Sequence, residues 1–241
     1  MPSSSLLEIR GWIHDASAIL VMTGAGISAD SGVPTFRGAG GLWRQHRPEE
    51  LATAEAFARD PALVWAWYDW RRSLISGCAP NAAHQALVAL EERCPRFLLA
   101  TQNVDGLHGL AGSRDVIELH GAIFTTRCQR CGASREDRSF SRAAPPRCAA
   151  CGGPERPGVV WFGESLPVGA MERAADAALT SDLTLIIGTS GVVYPAAGLA
   201  ELAHRAGKRV VIVNLDPIEQ VGFADGFLQG RAADVVPALV D

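Results

Sequence analysis

The stretch Ala18-Ile-Leu-Val-Met-Thr-Gly-Ala-Gly-Ile-Ser28 decides the fold class of this chain. It opens with a continuous apolar run, which is typical of a strand buried on both faces of a parallel sheet. The pattern Gly24-x-Gly26-x-x-Ala29 follows at once and has the spacing of a dinucleotide-binding turn. In such a turn the first glycine permits the bend, the second lets a pyrophosphate approach the backbone, and the alanine allows close packing. A phosphate there would also meet backbone N–H groups at a helix start.

Strand-like and helical segments alternate outward from this turn. We predict strands over 97–100, 116–119, 183–187 and 210–213, helices over 5–16, 81–94, 169–179 and 195–206, and further helix within 48–76. Such alternation is typical of a doubly wound parallel sheet. We therefore expect an α/β, Rossmann-like fold with a smaller domain, made of a zinc-ribbon insertion and a helical insertion.

Composition limits the classes of function. The chain has 241 residues, of which 48% are hydrophobic, so it can bury a sizeable core. Its net charge of −4 gives it no bulk attraction to nucleic acid. We expect no secretory leader, because residues 1–10 lack its charged start and long apolar run, and no membrane span, because no apolar stretch reaches the roughly 18–20 residues that would cross a bilayer. We expect a cytoplasmic monomer that binds neither membrane nor nucleic acid. Lys208 is its only lysine.

The alternation of strands and helices breaks between 120 and 159, where two CxxC pairs occur. Cys128-x2-Cys131 and Cys148-x2-Cys151 predict one Zn²⁺ held by four thiolates. Four protein ligands leave no open position, so this zinc should be structural. A nucleic-acid-binding zinc ribbon is the alternative, and nearby arginines fit it, but the segment lacks an aromatic stacking surface. The remaining thiols, Cys78 and Cys94, should be buried and inert.

Such a glycine turn is usually found in hydride-transferring dehydrogenases. These enzymes place an Asp or Glu about 20 residues further on, where it holds the adenosine ribose. Here that distance falls in residues 40–47, which contain no acid, and Glu49 and Glu50 begin a helix instead. The dehydrogenase remains an alternative that fits poorly.

Seven segments, in order, resemble the sirtuin family and cover nearly the whole chain. They are Gly24-Ala-Gly-Ile-Ser-Ala-Asp-Ser-Gly-Val-Pro-Thr-Phe-Arg-Gly38, Thr101-Gln-Asn-Val-Asp-Gly-Leu-His108, Glu118-Leu-His-Gly121, the two CxxC pairs, Val159-Val-Trp-Phe-Gly-Glu164, Gly188-Thr-Ser190 and Asn214-Leu-Asp216. The resemblance implies NAD-dependent removal of acyl groups from protein lysines, which gives nicotinamide, O-acyl-ADP-ribose and free lysine. Mono-ADP-ribosyl transfer in the same pocket is an alternative.

The resemblance implies that His120 is the general base, and imidazole suits this role because its ordinary pKa of about 6.5 lies near working pH. His108 belongs to a signature but should brace its loop. The other histidines should be surface or packing residues: His14, His46, His84 and His204.

The resemblance also implies an NAD-binding set. Its members are Gly24, Ala25, Gly26, Ile27, Ser28, Asp30, Thr35, Phe36, Arg37, Gln102, Asn103, Asp105, Gly188, Thr189, Ser190, Asn214, Leu215, Asp216 and Ala232. Asn103 and Asp105 would position the nicotinamide ribose and carboxamide, and Phe36 would close the pocket. Arg37 and the loop after it would fold down when NAD binds. The residues from Gly188 onward would contact phosphate and the adenosine ribose, and Ala232 the adenine.

The stretch Trp67-Tyr-Asp-Trp-Arg-Arg72 suggests which acyl group is bound. On a helix Tyr68 and Arg71 share a face, and a phenol with a guanidinium fork suits a carboxylate. The pair resembles that of the sirtuin subgroup acting on succinyl- and malonyl-lysine. The structural alternative is a helix with aromatic packing and a solvated arginine. The functional alternative is an enzyme that is mainly a deacetylase. The resemblance also implies that Val160, Trp161, Phe162 and Gly163 form the edge that a substrate peptide joins. An ordinary buried strand is the alternative for this run.

Three parts of the chain follow from these assignments. We predict an NAD-binding domain from 1–38, 77–121 and 158–241. The helical insertion, with the cofactor loop and acyl receptor, would span 39–76, and the zinc-binding insertion would span 122–157.

Overall fold

The computed structural model of the chain describes residues 4–36 and 47–240. In chain order the strands are β1 (Ala18–Thr23), β2 (Arg96–Thr101), β3 (Val116–Glu118), β4 (Gly121–Cys128), β5 (Ser134–Glu136), β6 (Glu155–Val159), β7 (Leu183–Ile187), β8 (Arg209–Asn214) and β9 (Gly226–Gln229). The helices are α1 (Leu6–Asp15), α2 (Pro48–Leu51), α3 (Ala54–Arg59), α4 (Pro61–Ser76), α5 (Ala82–Arg93), α6 (Leu107–Ala111), α7 (Ala170–Thr180), α8 (Gly198–Arg205) and α9 (Ala232–Val240). Short 3-10 helices span Ala25–Ser31 and Glu219–Gly222.

The larger sheet is parallel and has the strand order β3-β2-β1-β7-β8-β9. Ile19 of β1 pairs with Phe97 of β2 on one side and with Leu183 of β7 on the other. The strand order therefore reverses between β1 and β7, and open sheets bind ligands beyond the carboxyl ends of such strands. This is the doubly wound, Rossmann-like sheet that the sequence predicts.

Helices cover both faces of this sheet, which explains the continuous apolar runs of its strands. On one face α1, α5 and α9 contribute Ile9, Leu87 and Val236 to a core that includes Val21 of β1. On the other face α7 and α8 pack through small side chains such as Ala174. All of β1 is buried as a result.

The predicted strands and helices of this part are confirmed with small shifts at their ends, but α6, β9 and α9 were not predicted, and α6 is only five residues long. β9 has four residues, too few for a recognisable period, and α9 contains Pro237, which usually argues against a helix. No helix in the described part of the chain is long and apolar enough to span a bilayer.

A second, antiparallel sheet of strand order β5-β4-β6 lies between Gly121 and Val159. The sequence predicted an insertion here but not its strands. Every residue of β5 is exposed, and β6 contains Pro157 and Gly158, so neither strand shows apolar alternation. Ile123 of β4 joins a separate core with the helices that precede α5.

Residues 48–76 form three helices rather than a continuous one. The Thr53 hydroxyl accepts the Ala56 N–H and starts α3. The Asp60 carboxylate accepts the Leu63 N–H, and Pro61 occupies the first position of α4. Both are ordinary N-cap signals. Each starts a new helix, although the helix propensity of residues 48–76 favours a continuous one.

Candidate functional site

The turns after β1 and β7 interlock at the switch point of the parallel sheet. The Gly26 N–H donates to the Gly188 carbonyl at 2.7 Å, and the Gly24 N–H donates to Ile187. A Cβ on Gly24 would lie 2.9 Å from the Gly188 oxygen, and a Cβ on Gly188, where φ is +62°, would lie 2.4 Å from the Ile27 nitrogen. Only glycine fits at these contacts. The helix after the turn is a short 3-10 helix rather than the α-helix of a dinucleotide-binding unit.

Beneath the turns, β1 and β2 are joined by a buried hydrogen-bond chain. The Thr23 hydroxyl donates to the Thr101 hydroxyl at 2.8 Å and lies 3.0 Å from His108 Nε2. The Thr101 hydroxyl also accepts the Asn103 N–H. Because Thr23 donates to Thr101, it accepts from the Nε2–H of His108. The prediction that His108 braces its loop is confirmed, and burial lowers its pKa to about 3, which keeps the imidazole neutral.

Asn103 and Asp105 lie on the loop after β2 and are both buried. The Asn103 amide donates to the Gly24 carbonyl at 3.1 Å and to the Ser28 hydroxyl at 3.2 Å. Asp105 accepts the Leu107 N–H at the start of α6. The structure thus brings the predicted ribose-positioning amide against the glycine turn.

His120 follows β3 and is half-buried. Its Nδ1 lies 3.0 Å from the Gln102 carbonyl, and a carbonyl can only accept, so Nδ1 carries the proton. Nε2 is then left with its lone pair. Burial lowers the pKa of this imidazole, although the bond to Gln102 partly opposes the shift. A neutral histidine with an oriented lone pair can act as a general base at neutral pH.

The loop after β7 is held from several sides. Gln102 donates to the Thr189 hydroxyl at 3.2 Å, and Asn214 donates to the Thr189 carbonyl at 3.1 Å. Gln220, which the sequence reasoning missed, is 2% exposed and donates to the Gly191 carbonyl at 2.8 Å. No periodicity or motif marks this glutamine in the sequence.

The remaining predicted cofactor residues are placed as follows. Asp30 forms an ion pair with Arg231, whose Nε lies 2.8 Å from the carboxylate. Ala232 is buried in the main core, whereas Ser190, Leu215 and Asp216 are exposed at the ends of β7 and β8; Ala25, Thr35 and Phe36 are half-buried, and Ile27 is buried. Arg37 and His46 lie outside the described residues.

Tyr68 and Arg71 share a buried side of α4. The Arg71 guanidinium is 4.6 Å from the centre of the Phe36 ring and 5.0 Å from that of Trp67. Within residues 4–36 and 47–240, no acidic side chain is in ion-pair contact with it, although the Asp105 carboxylate acts on it electrostatically. The Tyr68 hydroxyl accepts from Trp161 Nε1 at 3.0 Å. Of the predicted alternative, the aromatic packing is present, but the solvated arginine is wrong, because Arg71 is 5% exposed.

The predicted peptide segment begins where β6 ends. The Val160 N–H donates to the His120 carbonyl at 2.8 Å, and the Phe162 N–H donates to Ala52 at 2.9 Å. The ring of Trp161 is buried, whereas Phe162 and Gly163 are exposed. This segment therefore lies directly beside His120.

The four cysteines of the CxxC pairs converge. Their Sγ atoms all lie within 4.8 Å of one another, with Cys128 and Cys151 at 3.5 Å and Cys131 and Cys148 at 3.7 Å. A zinc–sulfur bond of about 2.3 Å in a tetrahedron requires sulfurs roughly 3.8 Å apart. The residues are positioned to bind one Zn²⁺.

The lone thiols and other histidines largely follow prediction. Burial raises the pKa of both Cys78 and Cys94, so neither is a reactive thiolate, although Cys78 is only half-buried. His14 and His204 are exposed, and His84 is a fully buried packing residue whose Nδ1 accepts the Asn81 N–H.

Comparisons with known proteins agree with this geometry. The family model described as the Sir2 family matches residues 24–195. "NAD-dependent protein deacylase 2" of Pyrobaculum aerophilum is 54% identical, over 98% of this chain and 94% of the relative. An "NAD-dependent protein deacylase" of Thermus thermophilus is 47% identical, over 98% and 96%.

Solved structures with bound ligands also match. The crystal structure of a Sir2 homologue in complex with NAD superposes with a TM-score of 0.92 at 44% identity, covering 97% of this chain and 92% of the other. A complex of Sir2 with a p53 peptide and NAD⁺ has a TM-score of 0.87 at 31% identity, covering 97% and 96%.

Proposed function

The chain belongs to the Sir2 family, and from that premise we propose that it is an NAD-dependent protein-lysine deacylase. In the overall reaction, the acyl group leaves the lysine nitrogen for a ribose hydroxyl of ADP-ribose, and the bond from ribose to nicotinamide breaks. One water is taken up. The products are free lysine, nicotinamide and O-acyl-ADP-ribose.

The observation that carries this proposal is the orientation of His120. Its Nδ1–H is anchored to the Gln102 carbonyl, so Nε2 is free to accept a proton from a ribose hydroxyl. His120 stands beside the Val160–Gly163 segment, where we place the substrate peptide. Base and acyl-lysine would thus meet at one edge of the crevice.

The NAD would lie across the switch point. Its pyrophosphate would approach the backbone of the Gly24–Gly26 turn, and Asn103 and Asp105 would hold the nicotinamide end. The Thr189 and Asn214 loops would hold the adenosine end. Zinc, held by the four cysteines, would order the second sheet and take no part in the chemistry, since four protein ligands leave no open position.

We further propose that the acyl pocket prefers acidic groups such as succinyl and malonyl. Burial favours the neutral form of Arg71, but a guanidinium stays protonated in proteins, and the Asp105 carboxylate, which acts on it electrostatically, is not in ion-pair contact with it. An acyl carboxylate would supply a direct ionic partner and could also accept from Tyr68. Arg71 lines a small depression together with Val33, Pro34, Leu74 and Ile75. We also propose that the three predicted parts of the chain are its domains, that the protein is a monomer and that it does not bind nucleic acid.

The decisive experiment is parallel turnover of matched succinyl-, malonyl- and acetyl-lysine peptides with NAD, with mass spectrometry of the products. We expect nicotinamide release that requires an acyl peptide, and ADP-ribose carrying the acyl mass. Formation of reduced nicotinamide without cleavage would indicate a dehydrogenase instead, and transfer of ADP-ribose onto the peptide would indicate a transferase.

Arg71→Met tests the acyl preference. We expect kcat/KM for the succinyl peptide to fall by about 10- to 150-fold relative to that for the acetyl peptide, since a hydrogen bond to a charged group contributes about 1.5–3 kcal/mol. Arg173→Met is the matched control, because Arg173 is exposed and pairs with Asp115. An equal loss for both peptides would contradict the receptor.

His120→Ala tests the base. Turnover should fall by about 10²- to 10⁴-fold, the usual contribution of a general base, while the Kd for NAD changes little. Calorimetric titration with NAD measures the second quantity. Retention of full turnover would refute the assignment.

A further inference from the structure

Helix α4 buries two adjoining stripes of side chains. Successive residues of an α-helix are about 100° apart, so Val64, Tyr68 and Arg71 form one stripe and Trp65, Asp69 and Arg72 the next. The first stripe carries the proposed acyl receptor. The second carries two charged residues, Asp69 and Arg72, that the proposed chemistry does not use.

Among the described residues, the side-chain hydrogen bonds and ion pairs of the second stripe go to the insertion that carries the cysteines, although Trp65 also packs in the apolar core beside α3. Trp65 Nε1 donates to the Glu155 carbonyl on β6 at 2.9 Å. Arg72, which is fully buried, donates to the carbonyls of Ile123 and Thr125 on β4 at 2.7 and 3.0 Å. These partners lie within a few residues of Cys128 and Cys151 in the chain.

Ion pairs also join the second stripe of α4 to the insertion. Arg142 spans two carboxylates, donating to Asp69 on α4 and to Asp137 on the loop after β5. Asp137 also faces Arg72, with 3.5 Å between the charged atoms, and accepts from the Thr126 hydroxyl at 2.8 Å. The Arg142 guanidinium lies 4.3 Å from the centre of the Trp65 ring. Asp69, Arg72, Asp137 and Arg142 therefore form a buried clamp between α4 and the second sheet.

Each receptor residue is a direct chain neighbour of a clamp residue, Tyr68 of Asp69 and Arg71 of Arg72. A clamp of directional hydrogen bonds fixes the rotation of α4 about its axis more strictly than apolar contacts would. We propose that Asp69 and Arg142 are positioning residues through which the zinc-bearing sheet sets the acyl preference of the pocket. This inference rests on the proposed deacylase function.

Asp69→Ala and Arg142→Met each open the clamp at one contact. Arg72 is a poor probe, because its removal would leave four buried hydrogen bonds unmade. We expect the KM for the succinyl peptide to rise by about 5- to 100-fold, the range that follows from small misplacement of a binding group. The KM values for the acetyl peptide and for NAD should stay within about twofold, and one zinc should remain bound.

The matched control is Arg138→Met. Arg138 is an exposed arginine on the same loop as Arg142, but it pairs with Glu136 rather than with α4. Arg142→Lys should restore part of the succinyl preference, because an ammonium keeps the charge but cannot span both carboxylates. Parallel losses for succinyl and acetyl peptides in the clamp variants would show a merely structural role and overturn the proposal.

Hydrogen exchange separates this inference from the proposed function. Amides of residues 64–72 should exchange faster in the two clamp variants than in the wild type or Arg138→Met, with β1 and β2 unchanged. A wild-type enzyme without preference for the succinyl peptide would contradict the acyl proposal. Hydrogen exchange alone would then test whether the clamp holds α4 in place. Unchanged exchange in α4 would overturn the clamp even in a succinyl-selective enzyme.

Discussion

The parallel sheet and the zinc-bearing sheet are stabilised by different physical means. β1 is buried at every position and packs between two apolar layers, whereas β5 is exposed at every position. The second sheet contributes Ile123 and Val159 to a separate apolar core, and it is also joined to α4 by buried ion pairs, with four cysteines positioned to bind zinc. A core of apolar area tolerates small changes in contact, but a few directional bonds position neighbouring side chains more strictly. The contrast suggests that the large sheet supplies stability and the small one supplies geometry.

Removal of a zinc ligand should separate the two regions most clearly. Structural zinc contributes about 10–16 kcal/mol of apparent binding free energy in small domains. Cys148→Ser should therefore lose zinc, raise hydrogen exchange across 121–159 and abolish deacylation, while β1, β2, β7 and β8 stay protected. Cys94→Ser, at a lone buried thiol, is the control and should keep its zinc. Full activity in a protein shown to be free of zinc would break the comparison.

A cavity in the parallel sheet should have the next largest effect. Leu99 of β2 is fully buried, so Leu99→Ala should lower the free energy of unfolding by about 2–5 kcal/mol. Phe140→Ala, at an exposed apolar residue of the zinc-bearing insertion, should cost less than about 0.5 kcal/mol. Urea denaturation of both variants measures the difference. Similar losses would contradict the exposed position described for Phe140.

The smallest expected effect is a shift in the pH dependence of turnover. Burial lowers the pKa of His120, so the imidazole stays neutral, and active as a base, at a lower pH than a free histidine. The acid limb of kcat/KM should lie below the ordinary histidine value of about 6.5. An acetyl peptide should be used, since its acyl group does not titrate, and His204→Gln, at an exposed histidine, should leave the profile unchanged. An acid limb above that value would contradict the environment described for His120.

The sequence was informative where one physical rule dominates. Continuous apolar runs predicted β1 and β7, and the spacing of glycines and cysteines predicted the turn after β1 and the cluster of four cysteines. It was uninformative where partners are distant in the chain. Nothing local in Asp69 or Arg72 indicates Arg142, and no periodicity indicates that Gln220 reaches Gly191. β6 was missed because its pairing with β4 overrides the poor strand propensity of Pro157 and Gly158.

The contact between Gly26 and Gly188 has an evolutionary consequence. Two turns from different strands meet there through main chain alone, so neither position has a side chain that could shrink to make room for a substitution in the other. A methyl group gained at either glycine cannot be compensated by any second replacement at its partner. Drift at these positions is blocked from both sides, and sequence change in this part of the crevice must occur at residues that surround the contact.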